Sequence, residues 1–360
     1  MIKSRLDQFL GRGQAAVTVP SLDGALKPNN LLEEAPAGIE GDAPDNMVFF
    51  NEQPLWSEGA QLFLGQEKTL FSSLESEITA IAVSDAGELI VAMLDGGIQL
   101  LDGNGQPNKR IGSLAINCVT AMVFLDSQTL LIAVGSIQNP LVDWARDLLE
   151  QRANGQLIRL DLTNGQASIV AQNLAYPAGL LIKPDGSVIV SEAWSCRLSQ
   201  VDMKSGRVTP LMEDLPAYPG RIVASADGGC WLSMFAPRSP LIEFVLRELA
   251  YRKAMMEEVD PEFWIAPALK SGYSFHEPMQ GGAMKQMGIL KPWAPTRSYG
   301  LVIEVDDRFV PIRSFHSRAG GKRHGVTSGM VQDNRLWITS KGGGEILSID
   351  LDDVVGKEIQ

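Results

Sequence analysis

The sequence predicts an all-β chain folded as a six-bladed β-propeller with helical insertions in blades three and five. Three observations lead there: a recurring two-strand pattern, a spacing of roughly 40 residues between most copies, and a Gly and Pro content suited to many tight turns. The pattern is a small or polar residue, an apolar run, a turn built on Asp, Asn or Gly, and a second apolar run. Its clearest copies are Tyr176 to Ala193 (YPAGLLIKPDGSVIVSEA) and Tyr218 to Phe235 (YPGRIVASADGGCWLSMF), in which Gly186 and Gly228 align. Ile78 to Met93, Val119 to Val134 and Gly325 to Ser340 repeat it more weakly. The 360 residues hold 35 Gly and 20 Pro in a chain that is 45% hydrophobic. That apolar share excludes a disordered chain, and the lack of a G-X-Y period excludes collagen.

Taken in order, blade one is expected from Glu52 to Leu74, and the others begin near Thr79, Thr120, Ala178, Gly220 and Thr327. Third and fourth strands follow as hairpins, Gly155 to Leu174 turning at Asn164-Gly165 and Arg197 to Leu215 turning at Ser205-Gly206. The inner strands alternate weakly, as strands covered on both faces do. Asn46 to Phe50 (NMVFF) is expected to complete the last blade and so remove an open sheet edge. Residues 1–44 read as a loosely packed arm wrapping outside and 45–360 as the propeller. Two insertions break the period. Residues 138–154 fit a short helix with Leu141, Trp144, Ala145 and Leu148 on one face, and residues 237–299 form a lid-like insertion. The latter opens with an amphipathic segment, 240–259, with Leu241, Phe244, Val245, Leu249 and Met256 as its apolar stripe, and later carries Trp264 and Trp293.

Net charge is −12, with the acids scattered. Such a field opposes binding to nucleic acid, and no apolar run approaches the ~18 residues of a membrane-spanning helix. Cys118, Cys196 and Cys230 cannot all pair and show no CxxC spacing, and Met1 to Gly13 lacks the apolar centre of a signal peptide. The expected setting is therefore reducing and cytoplasmic. Segment 240–259 is the expected contact for a partner or a membrane surface.

The stretch Gly155 to Phe235, with LAYPAGLLIKPDGSVIVSEAWSCR followed by LPAYPGRIVASADGGCWLSMFAPR, resembles the strictosidine synthase-like propellers. More distantly the chain is similar to the gluconolactonase and regucalcin family, over about Glu52 to Leu351. The resemblance implies chemistry in the central channel, at the first residues of the inner strands. In the lactonase branch it also implies a calcium ion held there, which needs roughly six to eight oxygen ligands. Glu52, in NEQPLW, matches that family's Glu in its E-x-P-x-W context. The other positions depart: Thr120 and Ala178 replace Asn, Gly220 replaces Asp, and Arg221 beside it would repel a dication. The sequence thus predicts no cofactor, with calcium on Glu52 as the alternative. Thr327 stands where the strictosidine synthases carry a catalytic Glu, so strictosidine synthesis itself is not expected.

The residues expected at the channel mouth are Glu52, Thr79, Thr120, Ala178, Gly220, Arg221, His324 and Thr327, with Trp194 nearby. Glu52 and His324 are candidate proton carriers, and Arg221 could hold a carboxylate or an oxyanion. If they form a catalytic set, they converge in one pocket. A structural Glu52–Arg221 ion pair is the competing reading, and Trp194 can equally be packing. Glu192 and Arg197 are expected to bond across blade four. The expected function is an ester or lactone hydrolase, or a related lyase or condensation enzyme, acting on a small molecule in the central channel, with a non-catalytic propeller that binds a small molecule or a protein as the alternative.

Overall fold

The computed structural model describes residues 19–113, 117–271, 285–286, 289–290 and 297–353. Six four-stranded antiparallel sheets stand around a central channel. Blade 1 comprises Asp45–Phe50, Gln53–Glu58, Gln61–Leu64 and Thr69–Ser73; blade 2 runs from Ile78–Val83 to Pro107–Ser113. Blade 3 runs from Val119–Asp126 to Ala167–Leu174 and blade 4 from Pro177–Ile182 to Val208–Met212. Blade 5 pairs Ala217–Ala224, Cys230–Pro237, Leu301–Val305 and Pro311–His316. Blade 6 consists of Val326–Gln332, Arg335–Ser340 and Glu345–Asp350, with Ile39–Glu40 as its outermost strand. Neighbouring first strands touch all the way round, from blade 1 through blade 6 and back.

Closure differs from the sequence expectation. Ile39 pairs with Ile346 and Glu40 with Glu345, so the closing strand lies earlier in the chain than NMVFF. Asp45–Phe50 is instead the innermost strand of blade 1. The physical reason is a two-residue turn: Asn51 and Glu52 both adopt left-handed backbone, at φ 50° and 62°. That geometry matches the twist of a tight hairpin, and it pairs NMVFF with QPLWSE. Blade 1 therefore begins one strand earlier than the expected Glu52.

The segment before it is also not loose. Leu32, in the short helix α1 (Leu31–Glu34), is fully buried among Trp231, Phe315 and Leu336. Asn29 Nδ2 donates to Ser314 O at 2.8 Å, and Arg323 donates to the carbonyls of Leu32, Ala35 and Pro36. Glu33 Oε1 accepts the backbone N–H groups of Lys322 and Arg323. Residues 25–40 thus strap the outside of blades 5 and 6, and the strap continues into the closing strand.

The core is divided into the layers between blades, which is why Leu89–Met93, Thr129–Val134 and Leu301–Val305 are buried along their whole length. Gly179 marks a tight point in one of these layers. A Cβ there would stand 2.5 Å from Gly220 O and 2.8 Å from the Arg221 Cα, so only glycine lets the inner strands of blades 4 and 5 approach. Across blade 4 the expected pair forms, with Arg197 Nε 2.8 Å from Glu192 Oε1 and Ser199 Oγ donating to the same oxygen.

The third-blade insertion folds as a helix, α2 (Trp144–Glu150), with Leu148 and Leu149 buried. In the fifth-blade insertion the amphipathic segment breaks at Glu248 into α3 (Pro240–Arg247) and α4 (Leu249–Glu258). The break splits the expected stripe. Ile242, Val245, Leu246 and Met255 are buried, whereas Phe244 and Leu249 are 48% and 56% exposed. Trp264 is buried, and Trp293 lies outside the described residues.

Candidate functional site

The first residues of the inner strands gather at one end of the channel. Asp45, Thr79, Thr120, Ala178, Gly220, Arg221 and Thr327 all line one cavity of about 310 Å³. Arg221 is its centre. From blade 5 its Nη1 donates to Asp45 Oδ1 at 2.6 Å and to Thr327 O at 3.2 Å, and its Nη2 donates to Thr79 O at 3.2 Å and to Asn46 Oδ1. One guanidinium therefore ties blade 5 to blades 1, 2 and 6 across the channel. Lys341, after the second strand of blade 6, reaches the other oxygen of Asp45 at 2.9 Å.

Burial by itself would raise the Asp45 pKa. The Arg221 and Lys341 charges, with hydrogen bonds from Lys341 and Thr327, reverse that and hold the carboxyl well below the usual carboxylate range. Asp45 is thus an anchored anion, and a poor proton acceptor at neutral pH. The hydroxyl of Thr120 donates to Pro177 O at 2.6 Å, bonding blade 3 to blade 4. Thr79 is 2% exposed, and its Oγ1 has no hydrogen-bond partner among the described residues.

Opposite this charged floor the wall is aromatic. Trp144, Tyr176, Trp194 and Phe235 line it, with Leu141, Val142 and Leu269 added by the two insertions. Tyr176 and Trp194 rings lie 4.3 Å apart and Trp144 meets Phe235 edge-on at 5.6 Å. Tyr176 holds left-handed backbone, φ 59°, immediately before Pro177, a conformation that costs about 1 kcal/mol or more and sets its ring in the wall. Trp194 is fixed through its indole N–H, which donates to the fully buried Asp147 of α2 at 2.8 Å. Glu77 stands exposed at the rim.

Two expected residues are elsewhere. Glu52 sits in the exposed β-turn described above and lines a separate groove with Gln332 and Arg335, so it neither faces the channel nor pairs with Arg221. Its intended place belongs to Asp45. His324 is 1% exposed and donates from Nε2 to Arg318 O at 2.9 Å, and burial lowers its pKa. It is not among the cavity-lining residues. Glu52, Arg221 and His324 hence do not converge. Burial pushes the thiols of Cys118, Cys196 and Cys230 up to about 11, 12 and 12, which leaves them unreactive at neutral pH.

Sequence reasoning missed Asp45, Lys341, Trp144 and Phe235 as site residues. Asp45 was within reach, because DNMVFF-NE-QPLWSE reads as two short runs joined by a two-residue turn. Lys341 carries no signal, since its position depends on the length of the blade 6 turn.

Calcium does not fit these residues. A dication needs a shell of free oxygens, whereas Asp45, Asn46 and the carbonyls of Thr79 and Thr327 already accept from Arg221. A guanidinium and an ammonium beside the same carboxylate add repulsion. Among the described residues no three His, Cys, Asp or Glu side chains cluster as metal ligands. Nor is any described helix long and apolar enough to cross a membrane.

No protein-family model matches the chain. It is 26% identical over 276 residues to Protein STRICTOSIDINE SYNTHASE-LIKE 6 of Arabidopsis thaliana, covering 75% of this chain and 66% of that protein. It is 24% identical over 216 residues to the adipocyte plasma membrane-associated protein of Salmo salar, covering 59% and 46%. The matches thus span two thirds or less of these relatives' own length. Among solved structures, a gluconolactonase of Xanthomonas campestris superposes with a TM-score of 0.57 at 12% identity, over 92% of this chain and 94% of that one. The calcium-binding protein regucalcin of Agrobacterium tumefaciens gives 0.53 at 13% identity, over 88% and 93%. At such identities the likeness is one of fold.

Proposed function

We propose that this chain, a homologue of the strictosidine synthase-like and adipocyte plasma membrane-associated proteins, binds a small organic molecule at the mouth of its propeller channel and does so without calcium. The observation that carries this reading is the cavity itself. Four rings and three aliphatic side chains face a fixed ion cluster across about 310 Å³, the mixture of apolar wall and few oriented polar groups that small-molecule sites show. Thr79, Thr120, Ala178, Gly220, Thr327 and Trp194 serve as binding residues, and Arg221 organises the floor. The three buried free thiols support a reducing, cytoplasmic setting, and the net charge of −12 supports a small-molecule ligand over nucleic acid.

Hydrolysis of an ester or lactone is the second reading. The fold shared with a gluconolactonase favours it, and Lys341 offers N–H donors to a developing oxyanion. Against it, Asp45 is a poor base, and no histidine lines the cavity among the described residues. Native mass spectrometry of the purified protein, with a thermal-shift screen of aromatic acids, esters and lactones, tests the binding reading. Ala178→Trp, which fills the cavity from blade 4, should abolish retained mass and every shift. Shifts that survive the substitution would place binding elsewhere.

A further inference from the structure

The hydrogen-bonding account of the cavity floor is one-sided. Both oxygens of Asp45 are taken, Oδ1 by Arg221 and the Asn46 N–H, Oδ2 by Lys341. Asn46 Oδ1 and the carbonyls of Thr79 and Thr327 accept from Arg221, and Pro177 O accepts from Thr120. Each of these oxygens already accepts a hydrogen bond. Among the described residues donors remain: the Lys341 ammonium carries three N–H groups and makes one hydrogen bond, to Asp45, and the Thr79 hydroxyl, which can donate or accept, is buried without a partner. Charge points the same way, because two cations meet one carboxylate there, and Glu77 is an exposed rim residue that solvent and salt screen.

We infer that the ligand is an organic anion with a flat apolar body, its carboxylate held by Lys341 and the Thr79 hydroxyl and its body against Trp144, Trp194 and Phe235. This rests on the cavity being the ligand site. An ammonium ligand would face Lys341 and Arg221, whereas a carboxylate supplies acceptors to the Lys341 N–H groups.

The test compares three probes of one shape by calorimetry on the full chain: naphthoate, naphthamide and naphthylmethylammonium. Naphthoate should bind about tenfold tighter than the amide, the ratio that one charge-assisted hydrogen bond supplies. Lys341→Met should remove that ratio while leaving amide binding in place, and Lys341→Arg should keep it. Wild-type protein provides a check free of any folding defect, since about tenfold more salt should weaken naphthoate and leave the amide unchanged. The inference is overturned if the amide or the ammonium binds as tightly as naphthoate, or if Lys341→Met keeps the preference. If none of the three probes binds, or Ala178→Trp binds them unchanged, the cavity reading itself fails, and the two failures are thereby told apart.

Discussion

Replacing Arg221 by Met keeps an unbranched apolar stem and removes the guanidinium with its five donors. Asp45 then retains Lys341, at 2.9 Å, and the Asn46 N–H, while Asn46 Oδ1 and the carbonyls of Thr79 and Thr327 lose the Arg221 donor. Breaking a buried ion pair costs about 3–5 kcal/mol. The surviving Lys341 contact and the 21% exposure of Arg221, which admits water to the orphaned oxygens, place the expected cost near the low end, about 3 kcal/mol. The assay is urea unfolding of wild type, Arg221→Met, Asp45→Asn and the double variant. The double variant should be less destabilised than the sum of the singles by about 2 kcal/mol, because the second substitution removes a charge already deprived of its partner. A single-variant loss below about 0.5 kcal/mol, or strict additivity, would refute the assignment of Arg221 as the clasp between blade 5 and blades 1, 2 and 6.

Acid should weaken the fold in two windows. Asp45 has a lowered folded pKa, so its stabilisation is complete above the unfolded value near 4 and drains as pH falls below that; Asp45→Asn should flatten the unfolding curve there. His316 is fully buried, and desolvation pulls its pKa down to about 4. The unfolded chain therefore gains protons first, and about 3 kcal/mol should be lost between pH 6.5 and 4, a loss that His316→Asn removes. Gly179→Ala should cost about 1–3 kcal/mol by forcing blades 4 and 5 apart, measured as a lower urea midpoint. In the fifth-blade insertion, Ile242→Ala should cost about 2–5 kcal/mol, whereas Phe244→Ser and Leu249→Ser should each stay within about 0.5 kcal/mol because both side chains already face solvent.

The blade repeat was legible because each inner hairpin needs the same chemistry: a buried run, a turn with positive φ at Gly186 or Gly228, and a second buried run. Blade 1 was misread for a local reason. Its turn uses Asn51 and Glu52 where blades 4 and 5 use glycine, so NMVFF looked like a free strand and Glu52 inherited the place of Asp45. Arg221 was identified at the channel from its position after Gly220. Its true partner was not, because the pairing joins residues 176 positions apart in sequence, on blades 5 and 1, which do not adjoin. His324 illustrates another limit: its neighbours in GGKRHGVTS are polar, yet the strap anchored by Arg323 and Glu33 buries this loop from outside. Burial of that kind is set by a segment far away in sequence.

A crystal structure of the full chain grown with naphthoate tests the central assignment most directly. Density for the naphthalene between Trp144, Trp194 and Phe235, with its carboxylate on Lys341 and Arg221 still bonded to Asp45, is the expected outcome. Density in the groove beside Glu52, or a metal ion displacing the Arg221 guanidinium from the channel, would contradict the account.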